Sequence, residues 1–146
     1  VNVDEVAARA GCSRATLYRH VGGKSAIVDG VIARAASVVA EEVALAVEPF
    51  DGSRRVVEAI LASVDAVRTN PVLAQWYARS RATRADSYLA ASPQLGRFAT
   101  ALTGVAPDDA AARWIVRVVM SLLTWPLDDP AEERLLVERY VEPGLR

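Results

Sequence analysis

The sequence predicts an all-α protein, with a short N-terminal helix-turn-helix module followed by a larger helical body. Three features predict it. Apolar residues recur at three-and-four spacing along most segments, the period of a helix buried on one side. Ala, Val, Leu and Arg dominate, and the alternating β-branched and aromatic pattern of a strand is absent. Breakers fall mostly between the periodic runs, at Gly22-Gly23, Pro49 to Gly52, Asn70-Pro71, Ser92-Pro93, Gly104 to Pro107 and Pro143-Gly144. A chain of 146 residues can bury a sizeable core in one or two units, and at 52% apolar it has apolar surface for a partner to cover. The expected division is a reading module with its linking helix over residues 1–40 and a body over 41–146.

The module is Val3 to Lys24. Val6, Ala7 and Ala10 give a first helix its apolar face, and Asp4 and Glu5 suit the positive end of its dipole. Gly11 stands where a helix end needs a left-handed residue. Ser13 is placed to cap a second helix, Arg14 to Val21. That helix has only Leu17 and Val21 as an inward stripe, so it needs support from its neighbours and its outward face is open to another use. Two short helices joined by a tight turn form the pattern whose second helix enters the DNA major groove. Arg14 and Arg19 can reach guanine edges or phosphates, and Thr16, Tyr18, His20 and Lys24 can donate to phosphate oxygens. On spacing alone, a helical hairpin with a solvated polar face is the competing reading.

The run Val3-Asp4-Glu5-Val6-Ala7, Ala10-Gly11-Cys12-Ser13, Thr16-Leu17-Tyr18-Arg19-His20 and Lys24 resembles the DNA-binding signature of TetR-family transcriptional regulators. The resemblance implies that Ser13, Arg14, Ala15, Thr16, Tyr18, Arg19, His20 and Lys24 form the DNA face. Arg14, Ala15 and Arg19 match base-reading positions, and Thr16, Tyr18, His20 and Lys24 match phosphate-contacting ones. Val21 stands where the family has Phe, which implies a smaller plug between the helices. The family also has a helix before this point. Since the sequence opens at Val1 without Met, an N-terminal helix is expected to be missing from it.

Net charge is −1 overall, but residues 1–34 carry five basic and three acidic side chains, net +2, which leaves −3 for the rest. That distribution fits a small basic reading module on a near-neutral body. Cys12 is the only cysteine, which excludes an internal disulfide and a cysteine zinc site and fits a reducing, cytoplasmic setting. Packing in the turn is its simplest role. The longest apolar stretch, Trp114 to Leu127, is interrupted by Arg117 and is short of the roughly 20 residues of a membrane span.

In the body, Ser25 to Val47 reads as a long helix, with Ile27, Val28, Val31, Ile32, Ala35, Val38, Val39, Val43 and Ala46 repeating along it. It would tie the module stiffly to the body. Ser53 is expected to cap a second helix bearing Val56, Val57, Ile60, Leu61, Val64 and Val67. Asn70-Pro71 is a cap followed by an N-terminal proline, and Leu73, Trp76 and Tyr77 follow. Arg79, Arg81 and Arg84 cluster next, as a solvated face or an anion site. Tyr88, Leu89 and Ala90 form another short segment, and Ser92-Pro93 opens a helix with Leu95, Phe98, Ala99 and Leu102. Asp108 to Trp125 is apolar nearly all round, with Arg113, Arg117, Ser121 and Thr124 as a narrow polar stripe. Such a helix needs cover on both sides, and a second subunit would supply it. The last helix is capped by Asp129, with Pro130 first, and is stopped by Pro143-Gly144.

The resemblance pairs these last two helices, about 108–125 and 130–142, as a four-helix homodimer interface. The string Ala112 to Arg117 and Ser121-Leu122-Leu123 is similar to actinobacterial members, and sixteen Arg to one Lys agrees with a GC-rich genome. The expected function is a dimeric repressor that binds double-stranded operator DNA and is released by a small apolar effector. Trp76, Tyr77, Tyr88, Phe98, Trp114, Met120 and Trp125 are candidates for the effector pocket, with ordinary core packing as the alternative for each. An enzyme is disfavoured. The single histidine, His20, lies in the DNA-reading segment, so no Ser-His-acid set can form in the body. Phosphate-cradling glycine loops are absent, and no cofactor or metal is expected. A third class is a helical interaction module with little DNA binding.

Overall fold

The computed structural model describes residues 2–80, 93–104 and 109–145, and every regular element in them is helical. The chain divides into two compact units, Val1–Ser37 and Val38–Arg146. The helix Lys24–Val47, α3, contributes to both.

The first unit holds α1 (Val3–Arg9), α2 (Arg14–Val21) and the start of α3. Asn2 opens α1, its side-chain oxygen accepting the Asp4 N–H at 3.1 Å. Gly11 closes it at φ 66°, beside an N–H from Cys12 to the Ala7 carbonyl at 3.0 Å. Ser13 caps α2 as its sequence position predicts, accepting the Thr16 N–H at 3.1 Å. Gly22 ends α2 at φ 88°, donating to the Tyr18 carbonyl at 2.9 Å. Val3, Ala7, Leu17 and Ile27 form the core here, with Val6, Cys12 and Tyr18 packed around it.

Two expected core positions differ. Ala10 is exposed and Val3 is buried in its place, because α1 ends at Arg9 and its inward row is Val3, Val6 and Ala7. Val21 is 39% exposed rather than a plug. It is the last residue before the left-handed Gly22, and Leu17 alone anchors α2.

In the second unit, α4 (Gly52–Thr69) packs against α5 (Pro71–Ser80), α6 (Pro93–Thr103), α7 (Asp109–Thr124), α8 (Pro130–Leu136) and the terminal turns. Its inward row Val56, Val57, Ile60 and Val64 meets Ala99 of α6, Ile115, Val116, Val118 and Leu122 of α7, and Val137 and Val141 after α8. The caps at Asn70 and Asp129 form as expected, each side-chain oxygen accepting N–H groups of the next turn, at 3.1 Å and 2.8 Å.

Three details depart from expectation. Ser53 does not cap α4. Asp51 takes that position, its carbonyl accepting the Arg55 N–H at 3.0 Å, and Ser53 lies inside the first turn. The last helix widens to a π turn over Val137–Val141 and then tightens to 3₁₀ over Glu142–Leu145, so Pro143-Gly144 lie within the final turn. Pro143 has no N–H to continue an α-helical ladder. In α3 the buried residues include Ile27, Ala35, Val39, Val43 and Val47, whereas Val31 is 44% exposed.

Among the described residues, two bidentate ion pairs cross the body. Arg68 of α4 meets both oxygens of Glu133 of α8 at 2.7 and 2.9 Å, and its second terminal nitrogen also donates to the Leu122 carbonyl at 2.9 Å. Arg134 meets both oxygens of Glu58 at 2.8 and 3.0 Å. Planar guanidinium and carboxylate match edge to edge, so each pair fixes orientation as well as distance. The Arg68 hydrogen bonds hold the Glu133 carboxyl below the usual carboxylate range, and Arg134 does the same to Glu58.

Candidate nucleic-acid interface

The outward face of α2 is built by exclusion. Leu17 is its one buried side chain and Tyr18 packs at the edge of the same small core, so most of the remaining positions face away from it. Ser13, Arg14, Ala15, Arg19 and His20 are exposed, as is Lys24 at the first position of α3, while Thr16 and Tyr18 are half-buried. All eight predicted DNA-face residues thus lie on α2, its cap and the residue that opens α3. Arg19 and His20 occupy the last turn of α2, where positive charge suits the helix dipole. Thr16 is held by its hydroxyl, which shares a hydrogen bond with that of Ser13 at 2.9 Å.

Arg14 has the most definite surroundings. Its Nη1 donates to both carboxylate oxygens of Asp4 at 3.4 Å. Its Nη2 donates to the Tyr18 hydroxyl at 3.4 Å, and the guanidinium carbon stands 5.4 Å from the centroid of the Tyr18 ring. These contacts favour the charged form of Arg14, the Tyr18 hydrogen bond most. Asp4 is the residue of this face that sequence reading assigned only to the helix dipole. Its partner lies ten residues away on another helix, outside any local spacing rule.

The effector-pocket candidates are scattered in environment. Tyr77 is buried, its hydroxyl donating to the Met120 carbonyl at 3.1 Å and sharing a short hydrogen bond with the Thr124 hydroxyl. Trp76 and Phe98 are half-buried, and Met120 packs against the main core. Trp114 is 48% and Trp125 72% exposed. Tyr88 lies outside the described residues, as do Arg81, Arg84, Leu89, Ala90, Ser92 and Asp108. A groove of about 350 Å³ is lined by Arg54, Glu58, Arg134, Glu138, Glu142, Ser53 and Val57. A hollow of about 570 Å³ is lined by Glu41, Ala44, Leu45, Glu48 and Arg55. None of the pocket candidates among the described residues lines either one. Among the described residues no three His, Cys, Asp or Glu side chains are grouped to hold a metal, and no helix is long and apolar enough to cross a membrane.

A helix-turn-helix hairpin with a cationic second helix, ahead of an all-α body, defines the general class as a helix-turn-helix protein. The chain is 31% identical to an uncharacterized HTH-type transcriptional regulator of Mycobacterium tuberculosis strain CDC 1551 / Oshkosh, over 98% of this chain and 74% of the relative. The same figures hold for an uncharacterized HTH-type transcriptional regulator of strain ATCC 25618 / H37Rv. The chain belongs to this TetR-like family of HTH-type transcriptional regulators. No family model matches the chain, and no solved structure matches it.

Proposed function

We propose that the protein is a dimeric, sequence-selective DNA-binding repressor of the bacterial cytoplasm, released from its operator by a small apolar effector. The observation that carries DNA binding is the face of α2. Arg14, Arg19 and His20 stand exposed on a helix whose one buried side chain is Leu17, and Lys24 stands exposed at the start of α3, in a chain whose relatives are HTH-type transcriptional regulators. In this reading Arg14 and Ala15 meet base edges, with Arg19 beside them. Ser13, Thr16, Tyr18, His20 and Lys24 set the register on the phosphates. Lys24 at the start of α3 supports this, since a cation there opposes the helix dipole unless an anion joins it.

Dimerisation draws support from apolar side chains left in solvent. Trp114 and Trp125 are exposed at 48% and 72%, and Leu135 and Tyr140 at 55% and 70%. They belong to the two C-terminal segments that the family resemblance assigns to the interface, and the two indoles suit an intersubunit contact better than an interior cavity. Trp76, Tyr77, Phe98 and Met120, with Tyr88, are the residues we assign to effector recognition. The effector must prefer a state that fits the operator poorly, since only differential affinity shifts a population.

Fluorescence anisotropy of the full-length protein on duplexes from its own promoter region tests the DNA assignment. Lys24→Ala is expected to weaken every duplex by a similar factor and to reduce the salt slope by about one phosphate contact, ~0.9 in log–log units. An unchanged slope removes Lys24 from the interface.

A further inference from the structure

The outer sides of α7 and of the start of α8 expose charge of opposite sign. Beyond Asp109 at its start, the charges of α7 are Arg113 and Arg117, both exposed and flanking Trp114. Around the start of α8 the exposed charges are Asp128, Asp129 and Glu132, followed by the exposed Leu135. Asp129 caps α8. Arg113, Arg117, Asp128 and Glu132 have no ion-pair partner among the described residues, although the body builds bidentate pairs elsewhere.

Two copies that meet through this side can set like helix on like, or α7 on the partner's α8. The first arrangement crowds arginines from both copies along α7, or carboxylates from both at the start of α8, and like charges in a contact that excludes water oppose association. The second sets Arg113 and Arg117 against Glu132 and Asp128, and each of these two pairs spans about one helical turn. Run antiparallel, the two segments match in size as well as in charge. With Arg113 opposite Glu132 and Arg117 opposite Asp128, Trp114 falls opposite Ala131 and Ala110 opposite Leu135, a large side chain against a small one each time. Run parallel, the same charges set Trp114 opposite Asp129.

We propose that two copies of the chain recognise each other by this charge order: α7 of one subunit lies antiparallel on α8 of its partner, and Arg113 and Arg117, facing the partner's Glu132 and Asp128, select a second copy. The inference rests on the dimer reading above. It adds which helices meet, and which side chains distinguish this chain from another protein with a similar apolar face.

Analytical ultracentrifugation of the full-length protein and its variants is the test. A wild-type monomer at micromolar concentration contradicts the dimer reading itself, and the pairing with it. Given a wild-type dimer, the variants test the pairing alone. Arg113→Glu with Arg117→Glu sets acid against acid at both symmetric contacts, and Asp128→Arg with Glu132→Arg sets base against base. Each is expected to weaken the dimer by about tenfold or more, the scale of several exposed ion pairs lost together. Mixed in equal amounts, the two variants should form a heterodimer of nearly wild-type affinity, because both contacts are complementary again. All four substitutions in one chain should restore the homodimer. They would not restore it if α7 met α7, since its charges would still repel.

The proposal is overturned if either variant dimerises as tightly as the wild type, if the mixture stays monomeric, or if the fourfold variant does. Circular dichroism identifies any variant that is unfolded, and an uncharged set then carries the test. Arg113→Gln with Arg117→Gln, and Asp128→Asn with Glu132→Gln, should each weaken the dimer, and together no more than either pair alone, as coupled partners require. Additive losses contradict the pairing.

Discussion

Glu133 is 5% exposed and carries a charge that only a fitted partner can support. Arg68 supplies two bonds, and the Leu127 N–H adds a third at 3.2 Å. Glu133→Gln leaves the Arg68 guanidinium without its counter-charge. Because Arg68 is about a third exposed, the cost should fall between that of a surface pair and that of a fully buried one, about 2 kcal/mol in urea unfolding. Its pH dependence follows from the lowered carboxyl pKa. The stabilisation is complete above the ordinary carboxylate value of about 4.3 and is lost as pH falls through the folded-state value. The stability gap between wild type and Glu133→Gln should therefore be constant near neutrality and shrink below about pH 4. None of these pairs was legible in the sequence. Arg68 and Glu133 are 65 residues apart, Glu58 and Arg134 are 76 apart, and sixteen arginines compete for each acid. Ser13, Asn70 and Asp129 were legible because a cap acts within its own turn.

Elements in this chain differ sharply in how they are held. The row Val56, Val57, Ile60 and Val64 gives α4 a continuous buried side, and it is the element that the rest of the body packs around. Ile60 is 1% exposed, and Ile60→Ala should cost about 3 kcal/mol in denaturant unfolding, through lost burial and the cavity left behind. By contrast α2 has Leu17 alone, and its end depends on Gly22 at φ 88°. Gly22→Ala forces a side chain into a left-handed conformation and should destabilise that turn by about 1 kcal/mol, read as faster amide exchange across residues 14–21. Helical periodicity predicted the inward rows well where helices are long. It overreached at Ala10 and Val21, where helix ends rather than spacing decide which side chains are buried, and within α3 at Val31 and Ala46, which are exposed. The widened last turn was equally invisible, since Val137 to Val141 keeps an apolar pattern compatible with an ordinary α-helix.

At the scale of the whole molecule, part of the apolar excess in the composition lies on the C-terminal segments, with Val21, Val31, Leu45 and Val72 exposed elsewhere. Trp114, Trp125, Leu135 and Tyr140 are large and exposed on the C-terminal segments. An all-round apolar α7 was readable from sequence as a helix needing two partners, but the body takes up both of its aliphatic faces: Ile115, Val116, Val118 and Leu122 are buried and Val119, Met120 and Leu123 pack against the same core, which leaves Trp114 and Trp125 outside. If a second copy covers these indoles, analytical ultracentrifugation at micromolar concentration should give a dimer. Trp125→Glu combined with Tyr140→Glu should shift it toward monomer while leaving the helical circular-dichroism signal unchanged. A wild-type monomer would contradict the paired arrangement of two DNA faces.

The proposed DNA face rests on a local signature, and each of its eight predicted residues falls on α2, its cap or the start of α3. Sequence could not supply the acidic partner on α1 that occupies Arg14. DNA recognition by this face is tested most directly by equilibrium binding of full-length protein to promoter-region duplexes across a salt series, with Tyr18→Ala and Lys24→Ala alongside the wild type. The expected result is sequence-selective binding that weakens with salt, and in both variants a loss of similar size on every duplex. Binding that ignores sequence and is untouched by either substitution would contradict it.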